Sequence, residues 1–333
     1  MKTKIRNVLT STVFAGLMAS AATASAADIE LKASHQWNNK DVRHEMVQVI
    51  SDEMAKANVG VSVKVFPSKS LYKPKEQWAP MTTGELDISA FPLAYAAKRH
   101  AEFDSTLMPG LIKNHEHAKR VNDSPFMDDI KKIIDDAGVM VLSDAWLAGG
   151  FASKKKCILS PEDAKGQVMR AAGKAFNQLL SGAGASIQSM PSSEIYTAMQ
   201  QGVLDGANTS SGSFVSYRIY EQVKCLTSPG EHALWFMYEP ILMSKASYAK
   251  LNEEQQKALM AAGQVAEDWF AEKAAGLDAT MEGKFKEAGV EVVQMSADQA
   301  AAWRAIAKDT SYKSFAEKVK GGKELIDKAL AVE

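Results

Sequence analysis

A single arginine carries the clearest chemical possibility in this chain. In Gly166-Gln167-Val168-Met169-Arg170-Ala171-Ala172-Gly173, Arg170 ends a short expected strand among apolar and small neighbours. An arginine placed so, facing a cleft, can hold a carboxylate through two parallel charge-assisted hydrogen bonds. The same residue could instead close a surface or interlobe salt bridge, and the residues alone leave both readings open. The other constellations fail on inspection. His44-Glu45-Met46-Val47-Gln48 nearly spells the zinc motif HExxH, but Gln48 stands where the second ligand belongs. His115 and His117 alternate and so do not share a helical face. No GxSxG presents a serine nucleophile, and no GxxxxGK[ST] loop cradles phosphate. Gly182-Ala183-Gly184 begins a dinucleotide fingerprint, but Ile187 replaces its third glycine. Lys154-Lys155-Lys156 reads as a solvated strand end. Catalysis finds no positive case here, and neither a metal nor a cofactor is expected.

Compartment decides how the two cysteines are read. Lys2, Lys4 and Arg6 precede an apolar stretch from Val8 to Ala22, and Ala24-Ser25-Ala26 has the small-x-small pattern of a cleavage site. That order reads as a secretory signal peptide over residues 1–26, which places the mature protein in an exported compartment. The run is too short for a spanning helix. Those residues hold three basic side chains and no acidic one, so 36 basic and 40 acidic residues remain, a formal charge of −4. A mildly acidic chain has no general attraction to nucleic acid. Cys157 and Cys225 are too far apart for a CxxC motif and too few for a metal cluster. In an oxidising space they read as one structural disulfide, with two buried thiols as the alternative.

The surrounding pattern supplies elements to position Arg170. Ile29, Leu31 and Ala33 alternate with polar residues as in a half-buried strand, and Val61, Val63 and Val65 do the same. Between and after them come a helix from Val42 to Met54, a helix near Lys75–Thr83 and a strand at Leu86–Ala90, the order of an α/β lobe with a largely parallel sheet. Helices around Glu116–Val121 and Phe126–Ala137 lead to a strand at Val139–Ser143, and Gly149-Gly150 reads as a crossing point between lobes. A second α/β series follows: strands at Phe151–Ser153, Gln167–Ala171, Ser186–Ser189 and Leu204–Thr209, with helices at Lys174–Gly182 and Ser192–Gln201. Ala233 to Ser244 reads as an extended return to the first lobe. A helical stripe (Leu259, Ala262, Ala266, Trp269, Lys273, Leu277, Met281, Phe285) then predicts a helix from Asn252 to about Ala288, long enough to back both lobes.

Several stretches, in order, resemble the dicarboxylate-binding-protein (DctP) family of solute-binding proteins from TRAP (tripartite ATP-independent periplasmic) transporters. They are Gly84-Glu85-Leu86-Asp87, Ser160-Pro161-Glu162-Asp163-Ala164-Lys165-Gly166 running into Met169-Arg170, Gly184-Ala185-Ser186, and Met190-Pro191-Ser192-Ser193-Glu194-Ile195-Tyr196 continuing through Asp205-Gly206. The resemblance implies two α/β lobes joined by crossing strands that close over one ligand. It also implies that the exported compartment is the periplasm, and delivery of that ligand to a permease pair, one small and one large membrane subunit, driven by an ion gradient. Arg170 matches the arginine that grips the ligand carboxylate. His35, Gln36 and Trp37 lie where family members place a first-lobe contact, and Asn208 and Thr209 follow Asp205-Gly206 where a polar contact is usual. Trp235 stands at the position of an aromatic wall.

Departures from the acidic-sugar members follow the same positions. Gly149-Gly150-Phe151-Ala152 replaces a second arginine, and Phe91-Pro92 carries no acidic residue, so Gly150 and Phe91 are expected to line a pocket lacking a second carboxylate grip. Trp37, Phe91, Trp146, Phe151 and Trp235 would suit an aromatic or bulky monocarboxylate, or serve as ordinary core aromatics. The expected division is a signal peptide at 1–26, lobe I at 27–148 plus 236–277, and lobe II at 149–235 plus 278–333. The function expected is capture of a small organic acid by hinge closure, without chemistry on it. An exported ligand-sensing subunit would use the same pocket with another partner. An exported enzyme would need a nucleophile–base pair or metal set that the sequence does not offer.

Overall fold

The computed structural model describes residues 29–333, so the expected signal peptide lies outside the described residues. Among the described residues, twelve strands form two sheets. β1 (Ile29–Ser34), β2 (Val61–Phe66), β3 (Ile88–Ala90), β4 (Val139–Ser143) and β11 (Ile241–Ser244) make the first, in the order β2-β1-β3-β11-β4. β1 runs parallel to β2 and β3, and β11 antiparallel to β3 and β4. The second sheet has the order β12-β9-β5-β8-β6-β7, from β5 (Trp146–Ser153), β6 (Val168–Ala171), β7 (Ser186–Ser189), β8 (Gly206–Ser210), β9 (Cys225–Ser228) and β12 (Glu291–Gln294), with β10 (Trp235–Tyr238) paired to β5. Helices pack on both sheets, giving the expected two-lobed α/β architecture.

The chain changes sheets three times, at Asp144-Ala145 between β4 and β5, at Glu239-Pro240 between β10 and β11, and along the helix Glu253–Glu287 between β11 and β12. This corrects the reading of Gly149-Gly150 as a crossing point. The pair lies inside unbroken β5, and its glycines are required by crowding. A Cβ on Gly149 would stand 2.0 Å from the Thr209 carbonyl oxygen and 2.5 Å from the Trp235 ring, and one on Gly150 2.0 Å from the Thr227 oxygen. Trp146–Ala148 and Phe236–Tyr238, expected in lobe I, therefore belong to the second sheet.

The helix Glu253–Glu287 begins and ends as its pattern predicts. Asn252 and Gln255 form a reciprocal capping box. Its stripe drifts by one position at mid-length, with Phe270 and Ala274 buried instead of Trp269 and Lys273. Gly263 lets the helix approach β4, where a Cβ would fall 2.5 Å from the Leu142 oxygen. Leu259 to Ala274 join the apolar core beneath the first sheet, while Met281 and Phe285 join a core beneath the second. At 1.5 Å per residue the helix spans ~50 Å, enough to touch both.

Cys157 and Cys225 form a disulfide that ties the segment after β5 to the start of its neighbour β9. The C-terminal helices divide between the sheets. Trp303, on the helix Ala297–Ala307, stacks on Phe151 of β5 at 5.4 Å. The last helix, Gly322–Leu330, reaches the helix Pro125–Asp136 that precedes β4, through a Lys328–Asp129 ion pair.

Candidate functional site

Arg170 occupies the middle of β6, between β7 and β8, and is 0% exposed. Its Nε donates to the Met190 carbonyl at 3.0 Å, Nη1 to the Asn208 carbonyl at 2.7 Å and Nη2 to the Tyr95 hydroxyl at 3.3 Å. A guanidinium has five N–H groups, so one remains on each terminal nitrogen. Among the described residues no carboxylate lies within ion-pair distance of it. Burial pulls the Arg170 guanidinium below the ordinary arginine range, with Tyr95 and the more distant Glu239 only partly offsetting it. A buried cation without an anion is costly and unusual.

Arg43 shows what a settled buried arginine looks like in the same protein. It lies in the first turn of the helix Val42–Ala57, where Asp41 is the N-cap. Both Asp41 carboxylate oxygens accept from it at 2.7 Å, Glu239 at the second crossing accepts at 2.6 Å, and Ser210 and Ser213 each accept at 3.0 Å. Its guanidinium lies 4.0 Å from the Trp37 ring centre. Burial lowers its pKa, but Asp41 and Glu239 outweigh that and hold it above the usual value. Ser210 and Ser213 belong to the second-sheet side, so this network joins the two lobes, aided by Asn38 on the Ser216 carbonyl and Tyr217 on the Gln36 carbonyl.

A group of buried polar atoms has no protein hydrogen-bond partner. It includes both amide atoms of Gln36, Trp37 Nε1, both amide atoms of Asn208, Trp235 Nε1 and His35 Nδ1. Buried polar groups are nearly always satisfied, so this set leaves hydrogen-bonding capacity for water or a bound molecule. Gln36 and Trp37 follow β1 at the first sheet, whereas Asn208 sits in β8 and Trp235 in β10. His35 Nε2 lies 3.1 Å from His44 Nδ1, and burial together with His44 pushes the His35 pKa down to about 3, so this imidazole is neutral at physiological pH.

The remaining expected positions are structural in their surroundings. Thr209 pairs with Gly150 in the β5–β8 ladder. Phe91 is fully buried between Trp78 and the edge of Tyr95. Trp146 gives its Nε1–H to Asn122 and packs on Tyr238, and Phe151 stacks on Trp303, so both belong to cores.

Tyr95 is the residue the sequence reading missed. The 3-10 turn Leu93–Ala96, two residues after β3, carries its hydroxyl across to the second sheet. There it accepts from Arg170 and, at 3.2 Å, from the Ser192 backbone N–H. A tyrosine within a short apolar run after a strand looks like core, and only the polar gap opposite reveals its use. Beside Tyr95 opens a cavity of about 620 Å³, lined from the first side by Lys75, Lys98 and Arg99 and from the second by Lys174 and Asn177.

Two α/β lobes joined by crossing strands, with an uncompensated guanidinium and orphaned donors and acceptors between them, fit the class of solute receptors. Residues 33–318 match the family described as bacterial extracellular solute-binding protein, family 7 (DctP), and the chain belongs to that family, the solute receptors of TRAP transporters. A solute-binding protein of Albidiferax ferrireducens is 36% identical over 302 residues, covering 89% of each chain. A TRAP periplasmic solute-binding protein from Rhodoferax ferrireducens, solved with bound malonate, is 36% identical with a TM-score of 0.86, over 90% of this chain and 96% of that one. One from Sulfurospirillum deleyianum, solved with succinate, shares the fold at 24% identity and a TM-score of 0.83, over 92% and 100% of the two chains.

Proposed function

We propose that the protein captures a small organic acid between its lobes, with the two free N–H groups of Arg170 on the carboxylate. The observation that carries this reading is a fully buried arginine without an acidic partner, close to polar atoms that nothing in the protein satisfies. Charge-assisted, forked hydrogen bonds are what a carboxylate supplies to such a group. The malonate bound by the Rhodoferax ferrireducens relative supports the same chemistry. Gln36, Trp37 and His35 contribute from the first lobe, and Asn208 and Trp235 from the second. Thr209 and Gly150 hold β5 against β8, and Phe91 packs behind Tyr95, so these three support the site from behind.

Closure follows from that distribution. The first lobe comprises the first sheet and its helices, and the second lobe the other sheet. The lobes turn about Asp144-Ala145, Glu239-Pro240 and the helix Glu253–Glu287. Ligand contacts from both sides favour the closed form, so binding shifts the open–closed equilibrium. The mature protein works in the periplasm after removal of residues 1–26 and hands its acid to the small and large membrane subunits of a TRAP permease, without altering it chemically.

Titration calorimetry with malonate, succinate and pyroglutamate, on wild type and on Arg170→Met, tests the site. An acid bound by wild type should lose at least ~30-fold in affinity in the variant. A loss under tenfold removes Arg170 from the site, and recovery of an altered acid by mass spectrometry would establish an enzyme.

A further inference from the structure

The cavity beside Tyr95 has a charge pattern that closure alone does not explain. Lys75, Lys98, Arg99 and Lys174 converge on it from the two lobes, and Asp104 is the only carboxylate in its lining. None of the four cations has a carboxylate within ion-pair distance among the described residues. Elsewhere on the surface lysines commonly pair, as Lys132 does with Asp136 and Lys323 with Asp327. Lys75 lies over the Tyr95 ring, 5.6 Å from its centre, and the hydroxyl of that ring accepts from Arg170. Partial burial, Arg170 and Lys98 together hold the Lys75 ammonium below the usual lysine range, with only Glu194 opposing them.

We propose that this cavity is an outer anion vestibule, a first-capture site for small carboxylates that is separated from Arg170 by the Tyr95 side chain. It rests on the carboxylate reading given above. A cleft lined by one sign of charge with low-dielectric walls focuses the field and raises association rates of opposite charge by ~10- to ~1,000-fold. The overall chain is mildly acidic, so an anion approaching elsewhere meets net repulsion, and a local basic mouth corrects this where it matters. Because its cations act before closure, they set how fast an acid arrives rather than how long it stays.

Stopped-flow binding of malonate, succinate and pyroglutamate from low to high salt tests this, comparing wild type with Lys98→Gln/Arg99→Gln/Lys174→Gln. All three side chains are exposed, so the fold should tolerate the change. The triple variant should associate about tenfold more slowly, with a flattened salt dependence and an unchanged dissociation rate. Asp104→Asn, which removes the one anion, should associate faster than wild type at low salt. Equal association rates in wild type and triple variant overturn the vestibule, as does a faster dissociation with unchanged association. An acid whose affinity depends on Arg170 but whose arrival ignores these cations would sink the vestibule and leave the binding site standing. Failure of all three acids to bind wild type would sink both.

Discussion

Replacing Arg170 and Arg43 by methionine, one at a time, separates a binding residue from a structural one. Both side chains are fully buried, and methionine keeps much of their volume. Arg43 neutralises Asp41 and Glu239, so Arg43→Met strands two buried carboxylates, which costs about 3–5 kcal/mol of folding stability. Arg170 neutralises nothing in the ligand-free protein. Arg170→Met loses charge-assisted hydrogen bonds to two carbonyls and a hydroxyl, each about 1.5 kcal/mol or somewhat more, but relieves the burial of an unpaired cation, which costs several kcal/mol. The ligand-free variant should therefore unfold in urea within ~1.5 kcal/mol of wild type. Affinity for the acid should nevertheless fall by about 2–5 kcal/mol, or ~30- to ~4,000-fold, because that charge pair is desolvated. Urea unfolding without acid and calorimetry with it give the two readings. If Arg170→Met destabilises the ligand-free protein as much as Arg43→Met does, Arg170 is a strut between β6 and β8 and the argument for the site fails.

Tyr95→Phe removes the hydroxyl that joins the lobes while keeping the ring against Phe91; dissociation of the acid should quicken by about tenfold, the worth of ~1.4 kcal/mol, and unchanged dissociation would deny the latch. The Asp104 carboxyl accepts from the Lys174 backbone N–H, yet burial raises its pKa to about 6 from 3.8, so the folded state binds the extra proton and stability is lost as pH rises from about 4 through 6. Asp104→Asn keeps an acceptor without that charge and should gain about 2 kcal/mol relative to wild type between pH 4.5 and pH 7.5 in urea unfolding, whereas an equal difference at both pH values would refute the assignment. Replacing both Cys157 and Cys225 by serine opens a loop with a sequence separation of 68 and should cost about 4 kcal/mol of unfolding free energy, and a loss below ~1 kcal/mol would mean that the β5–β9 pairing alone holds this edge.

What the sequence made legible was periodic or chemically conspicuous. The alternation in Ile29–Ser34 and in Val61–Phe66, the caps and stripe around Glu253–Glu287, and a lone arginine among small residues each carry their own signal, and the two strands and the helix lie where theirs place them. Gly149-Gly150 misled because a glycine pair is ambiguous: it marks a break where the backbone must bend, and a crowded centre where neighbouring strands and Trp235 press in. Only the third dimension tells these apart. Arg43 was hidden for another reason. One arginine in the first turn of an amphipathic helix looks like a solvated charge, and the clue was its spacing from the cap residue Asp41 and from Trp37, both of which it touches. The two arginines then divide the work that neither could do alone. Arg43, already neutralised, supplies an interlobe joint that forms without ligand, through Ser210 and Ser213. Arg170, left without an anion, would under the proposed reading complete its pairing only when an acid arrives, with Tyr95 already bonded to it from the first lobe. A receptor with two paired arginines would close empty, and one with two bare arginines would resist closing until loaded. With Arg170 as the proposed carboxylate site, this arrangement would keep the lobes near one another yet reserve the last favourable contacts for an acid.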